Sequence, residues 1–204
     1  MELYDSEEQQ VEAIKDWWKE NGKAVILGAV VGLGGLFGWR YYQDSVIEAR
    51  ETASEQYTQA IEAMATKGLE ASSEVQAFIN SDSSSEYTVL AALQLAKAQV
   101  EAGEFGQALE QLQWAQTKTK DPALTPLITF RIARLMTEQG DIEAANTELS
   151  KISDASWAGR VAEMRGDIAL SQGDKDAAYS AYSEAQQATD ASQTLQLKLD
   201  DLAK

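Results

Sequence analysis

The segments LAKAQVEAGEFGQALEQL (95–112), IARLMTEQGDIEAANTEL (132–149) and RGDIALSQGDKDAAYSAY (165–182) superpose on the glycines Gly103, Gly140 and Gly173, spaced by 37 and then 33 residues. Seven residues before each glycine stands a small residue: Ala96, Ala133 and Gly166. One residue after it stands an acid (Glu104, Asp141, Asp174), and five after it an alanine (Ala108, Ala145, Ala178). Nine after it comes a large apolar residue: Leu112, Leu149 or Tyr182. Antiparallel helices approach closely only where small residues face one another, and the tight turn between them favours glycine, which accepts positive φ without steric cost. An acid just past that glycine is placed to cap the second helix and meet its dipole. The spacing therefore predicts three consecutive helical hairpins and an all-α fold.

Working outward, the hairpins fall into repeats of about residues 89–122, 126–159 and 159–192. A period near 34 residues with small-residue contacts and G-[DE] turns resembles the tetratricopeptide pattern. The aromatic expected four residues before the turn glycine is replaced by Gln99, Met136 and Ala169, and the closing proline is missing. Upstream, Ala49, Ala53, Tyr57, Ala60, Ile61 and Met64 form one helical stripe that Gly68 should end. Glu70–Ile79 reads as its partner helix and SDSSSE (81–86) as a polar loop or capping stretch. This pair is either a degenerate repeat or a cap. Downstream, Leu195, Leu199 and Leu202 share one side of the tail, so residues 190–204 are expected to cover the apolar end of the solenoid.

Near the N-terminus, AVILGAVVGLGGLFGW (24–39) runs sixteen residues without a charge between Lys23 and Arg40. At 1.5 Å per residue it spans about 24 Å, somewhat short of a bilayer core. Lys23 and Arg40 can snorkel, and Trp39, Tyr41 and Tyr42 supply an aromatic belt. The competing readings are a buried helix of a soluble domain and a cleaved signal peptide. The second conflicts with an N-terminal region of seven acids against three lysines and with the missing A-x-A site after Trp39. An uncleaved single transmembrane signal anchor over residues 23–42 is expected, followed by a repeat domain over 43–204. Residues 1–22 form a short amphipathic segment.

In that segment Val11, Ile14, Trp17 and Trp18 make an apolar stripe, with Asp5 or Ser6 as a candidate cap and Asn21-Gly22 as a possible interruption. It is either an interfacial helix or an ordinary juxtamembrane one. Lys15, Lys19 and Lys23 on one flank against Arg40 and Arg50 on the other give a slight bias toward a cytoplasmic N-terminus. Ala24, Gly28, Gly32 and Gly35 mark a face on which another transmembrane helix could pack, although such spacing is also common in helices that do not associate.

The formal net charge is −16, and 26 acids face 13 bases beyond Arg40. Such a surface repels nucleic acid, so none is expected as a partner. With neither cysteine nor histidine, the chain has no disulfide, no thiol chemistry, no serine–histidine triad and no histidine metal site. Carboxylate chemistry would need an acid pair in a pocket, and no pair is singled out by its setting. No catalytic role, cofactor or metal is expected.

In this order the parts resemble the YfgM family of bacterial inner-membrane proteins over essentially the full length. The most specific portion is MELYD, then VEAIKDWWKENGKA, the glycine-rich span and GWRYYQ (38–43). The resemblance implies an N-in, single-pass anchor in the inner membrane and a periplasmic repeat domain. It also implies association with the SecYEG translocon, with a PpiD-like periplasmic chaperone and with unfolded client proteins. A link to envelope stress signalling through a cytoplasmic response regulator is implied as well.

Concave positions of a tetratricopeptide groove would fall at Leu90, Leu93, Lys97 and Val100 in the first repeat. In the second they are Leu127, Phe130, Arg134 and Thr137, and in the third Arg160, Glu163, Asp167 and Leu170. Leu93, Lys97, Phe130 and Arg134 are the candidate partner groove, although Leu93 and Phe130 would equally serve to pack neighbouring helices. The expected function is a membrane-tethered adaptor. Its rivals are an envelope or division scaffold with other partners and a regulator acting through its cytoplasmic head.

Overall fold

A computed structural model describes residues 7–81 and 85–202; the candidate caps Asp5 and Ser6 lie outside them. Every regular element among the described residues is helical. The chain divides into two compact units, Met1–Thr52 and Ala53–Lys204.

The first helix, α1 (Glu7–Lys67), supplies the whole of the described first unit. It does not break at Asn21-Gly22. The Asn21 amide donates back to the Trp17 carbonyl at 3.1 Å, and the Trp18 indole lies over Gly22, so the glycine is covered where it would otherwise leave the helix weak. Between Lys23 and Arg40 the side chains stand exposed, Phe37 at 71% and Leu36 at 67%. Only 6% of the most apolar window is buried, so this is no core helix of a soluble domain but a helix long and apolar enough to cross a membrane. At Gly28, Gly32 and Gly35 an added Cβ would meet no atom within 4 Å.

The second unit begins in the last turns of α1. Gly68 (φ +59°) ends that helix as the sequence predicts, a single 3-10 turn follows over Gly68–Ala71, and α2 (Ser72–Ser81) packs onto the first hairpin. Three hairpins come next: α3 (Glu86–Glu101) with α4 (Phe105–Lys118), α5 (Leu124–Glu138) with α6 (Ile142–Ser150), and α7 (Ala158–Ser171) with α8 (Lys175–Gln186). A last helix, α9 (Leu195–Leu202), follows them.

The three turns are superposable in their chemistry. Gly103, Gly140 and Gly173 take φ of +80°, +81° and +81°. The next residue's amide donates to the carbonyl of Gln99 (2.8 Å), Met136 (2.9 Å) or Ala169 (2.9 Å), while the glycine amide donates to Val100, Thr137 or Leu170. This paired pattern is the glycine-terminated helix end that satisfies otherwise orphaned carbonyls. Asp141 and Asp174 cap the following helices by accepting from Ala144 and Ala177 at 3.2 and 3.0 Å. Glu104, expected to do the same, makes no such bond. Its extra methylene carries the carboxylate past the amides that aspartate reaches.

Packing explains the aligned columns. Ala108, Ala145 and Ala178 are fully buried, as are Leu149 and Tyr182, with Leu112 nearly so. In the third hairpin an added Cβ on Gly166 would fall 2.4 Å from two Tyr182 ring carbons. A larger knob on α8 has thus required the smallest residue on α7, where the first two hairpins pair alanine with leucine. The apolar side chains gather into three successive clusters, one flowing into the next along the solenoid. Tyr57, Ala60 and Met64 of α1 join Val75 and Ile79 of α2 at one end. Leu195 and Leu199 of α9 close the other against Tyr182, with Leu202 packed alongside, as the tail's pattern predicts.

Candidate partner-binding cleft

A cleft of ≈ 610 Å³ opens between α5 and α7. Phe130, Arg134 and Thr137 come to it from α5, and Arg160, Glu163 and Asp167 from α7. These are six of the eight concave positions expected of the second and third repeats, since residues three and four apart on each first helix share a face; Leu127 and Leu170 do not line the cleft. The first repeat does not contribute. Leu93 is 6% exposed within the first core cluster, held by its neighbours rather than presented. Lys97 is exposed on the surface of α3 and pairs with Glu101 at 3.7 Å. The structure therefore brings Phe130 and Arg134 together in one cleft and leaves Leu93 and Lys97 outside it.

Each wall is fixed from behind. The Phe130 ring packs on Trp157 (centroids 5.6 Å apart), and the Arg160 guanidinium stacks over the same indole at 4.8 Å. The start of α7 is capped from a distance, since Asp190 accepts from the Gly159 and Arg160 amides at 2.7 and 3.2 Å. The acidic wall is tied to α9. Lys198 reaches Glu163 at 2.8 Å and Asp167 at 2.6 Å, and the Tyr182 hydroxyl donates to Asp167 at 2.7 Å. Burial, reinforced by the hydrogen bond to Asp167, pushes the Tyr182 hydroxyl well above the usual tyrosine range. Burial alone would lower Lys198, but its hydrogen bonds to Asp167 and Glu163 outweigh that and raise it.

Glu163 and Asp167 are an acid pair in a cleft, a feature that sequence reading did not single out. Both are held by one ammonium, which offsets one of their two negative charges and fixes the two carboxylates side by side. The pair organises the wall. Lys198 and Asp190 went unnoticed because their partners lie about thirty residues away and no local motif announces them; only its being the lone base of LQLKLDDL marks the first.

One helix fit to span a membrane, together with a solenoid of helical hairpins carrying a lined cleft, defines a membrane-anchored protein of the tetratricopeptide-like interaction class. The comparisons with known proteins agree. The tetratricopeptide repeat-like domain family matches residues 15–204. A crystal structure of MamA shares the fold at a TM-score of 0.53 and 15% identity, covering 79% of this chain and 88% of that one. A protein of Escherichia coli (strain K12) named ancillary SecYEG translocon subunit is 35% identical over 207 residues, covering 100% of both chains. Its namesake in Haemophilus influenzae is 35% identical over 181 residues, 89% of each chain. This chain belongs to the family of those ancillary translocon subunits.

Proposed function

We propose that this chain is a non-catalytic, membrane-tethered adaptor that works beside the Sec translocon. The observation that carries the reading is the full-length match, anchor and repeats together, to relatives named ancillary SecYEG translocon subunit. In this reading residues 1–22 are cytoplasmic, 23–42 form the transmembrane anchor in the bacterial inner membrane, and 43–204 are the periplasmic repeat domain. The anchor raises the local concentration of the cleft at the translocon exit, so that modest intrinsic affinity suffices for capture. The cleft receives an extended or helical segment of a PpiD-like chaperone or of an unfolded client, and the glycine face of the anchor packs against a neighbouring membrane helix.

Photo-crosslinking in intact cells from a benzoylphenylalanine at position 130, which keeps the aromatic wall, tests this directly. Adducts to translocon subunits, a periplasmic chaperone or nascent secreted chains are expected. Adducts to cytoplasmic proteins alone would reverse the topology and remove the adaptor reading with it.

A further inference from the structure

The charges of the α5–α7 cleft are not equivalent. Elsewhere in the repeat unit three lysines pair with acids: Lys67 with Glu74, Lys97 with Glu101 and Lys151 with Glu148. The acids Glu163 and Asp167 are themselves occupied by Lys198. Arg134 and Arg160 line the same cleft and have no carboxylate within 4.0 Å among the described residues, as is also true of several surface bases outside it. Arg160 is held in place by its stack on Trp157, which leaves the edge of the guanidinium free to donate. The one acid of the lining outside the Lys198 cluster is Glu138, a turn beyond Arg134 on α5. Arg134, Arg160 and Lys198 balance the three carboxylates in charge, but Lys198 bridges Glu163 and Asp167 while Arg134 and Arg160 line the cleft without a carboxylate partner, next to the apolar surfaces of Phe130 and Met164.

We propose that the cleft selects a protein segment bearing an acidic side chain beside an apolar one, with Arg134 and Arg160 receiving the carboxylate and Phe130 the apolar group. Arginine suits this role because its fork donates two parallel bonds to a carboxylate and stays charged at every working pH. Lys198 supports the preference: by offsetting one of the two negative charges on Glu163 and Asp167 it reduces the repulsion an acidic segment would otherwise meet. The proposal rests on the reading of this cleft as the partner site.

The test uses the full chain in lipid nanodiscs and three fluorescent, end-blocked peptides. These share one phenylalanine-containing scaffold and differ only in carrying two glutamates, two glutamines or two lysines. Anisotropy titrations should show the glutamate peptide binding about tenfold more tightly than the lysine peptide, with the gap shrinking as salt rises. Arg134→Gln and Arg160→Gln should each narrow that gap several-fold, whereas Lys198→Gln, confirmed folded by its helical circular dichroism, should turn the preference toward the lysine peptide. Equal binding of the three peptides, each lost in Phe130→Ala, would keep the cleft as the partner site and overturn the charge selection. A glutamate preference indifferent to both arginine variants would place the anion site elsewhere and overturn it too. Failure of all three peptides to bind overturns the proposal outright, and the crosslinks from position 130 then decide separately whether the cleft meets any partner.

Discussion

Gly166→Ala isolates the contact that distinguishes the third hairpin from the other two. The new Cβ would sit 2.4 Å from the Tyr182 ring, more than 1 Å inside the carbon–carbon contact distance of about 3.5–4.0 Å. Tyr182 is fully buried and anchored to Asp167, so the ring cannot turn away without giving up that bond. Overpacking of this kind costs about 1–3 kcal/mol, and loosening a hydrogen bond to a carboxylate adds about 1 kcal/mol. Better helix propensity returns about 1 kcal/mol, leaving a net loss of about 2 kcal/mol, or a fall in melting temperature of about 4–8 °C for a domain of this size. Tyr182→Leu alone should also destabilise, through lost ring volume and a lost bond. Combined, the two changes reproduce the Ala/Leu pair of the first and second hairpins. The double variant should therefore be more stable than the sum of the singles by about 2 kcal/mol, a coupling of the size found between contacting residues. Thermal melts of the full chain in detergent, followed at 222 nm, measure all four corners of the cycle. A neutral or stabilising Gly166→Ala, or a coupling near zero, would refute the reasoning from repeat columns to packing.

Further outcomes follow from the same geometry. Gly140→Ala, at φ +81°, should destabilise by about 1–2 kcal/mol, whereas Gly106→Ala in α4, where an added Cβ meets nothing within 4 Å, should stabilise by up to about 1 kcal/mol; melts of the two variants separate these effects. Asp174→Ala should cost about 1 kcal/mol of cap, and Glu104→Asp, which brings a carboxylate within reach of the α4 amides, should gain a fraction of that, both by denaturant titration. Lys198 and Tyr182 both have folded-state pKa values above their unfolded ones, so the stability they contribute is complete below about pH 10 and is lost as pH rises beyond it. Melting temperature should therefore fall above pH 10, and less steeply in a Tyr182→Phe variant. At Gly28 and Gly32 a Cβ has open space beside it, so weakened co-purification with membrane partners on their replacement by leucine is expected to report an intermolecular face; unchanged co-purification would remove it.

How far the sequence could be read depended on the range of the interactions. Turn glycines, buried alanines and the knobs nine residues on were legible because each constraint is local and repeats three times. The terminal leucines were legible because an uncovered apolar face must be closed. Asn21-Gly22 misled because the covering group, the Trp18 indole, sits one turn back on the same helix and has no signature of its own. Glu104 misled because charge was weighed and side-chain length was not. In the cleft, helical phase correctly placed Phe130, Arg134, Arg160, Glu163 and Asp167 on facing sides of α5 and α7. It could not show that Leu93, in the same phase, is sealed under its neighbours, since burial at the start of the solenoid is decided by α1 and α2 rather than by α3.

The tail joins two properties that a repeat protein usually keeps apart. Leu195 and Leu199 exist to close the apolar end, and their burial would be served by any amphipathic helix of this length. Lys198 lies on the flank between them, where α9 passes α7, and there it meets Glu163 and Asp167 on the edge of the cleft. Removing the tail would therefore expose the end of the core and unmask two carboxylates at once, so loss of binding on truncation would say nothing about charge. Lys198→Gln separates the two effects. The leucines remain to close the solenoid, while the cleft loses the cation that offsets half the charge of its acidic wall. If capping were the tail's whole purpose, that substitution would change stability slightly and peptide preference not at all. A reversal of peptide preference with the fold intact would show that the helix closing the repeat array also sets the charge its cleft presents.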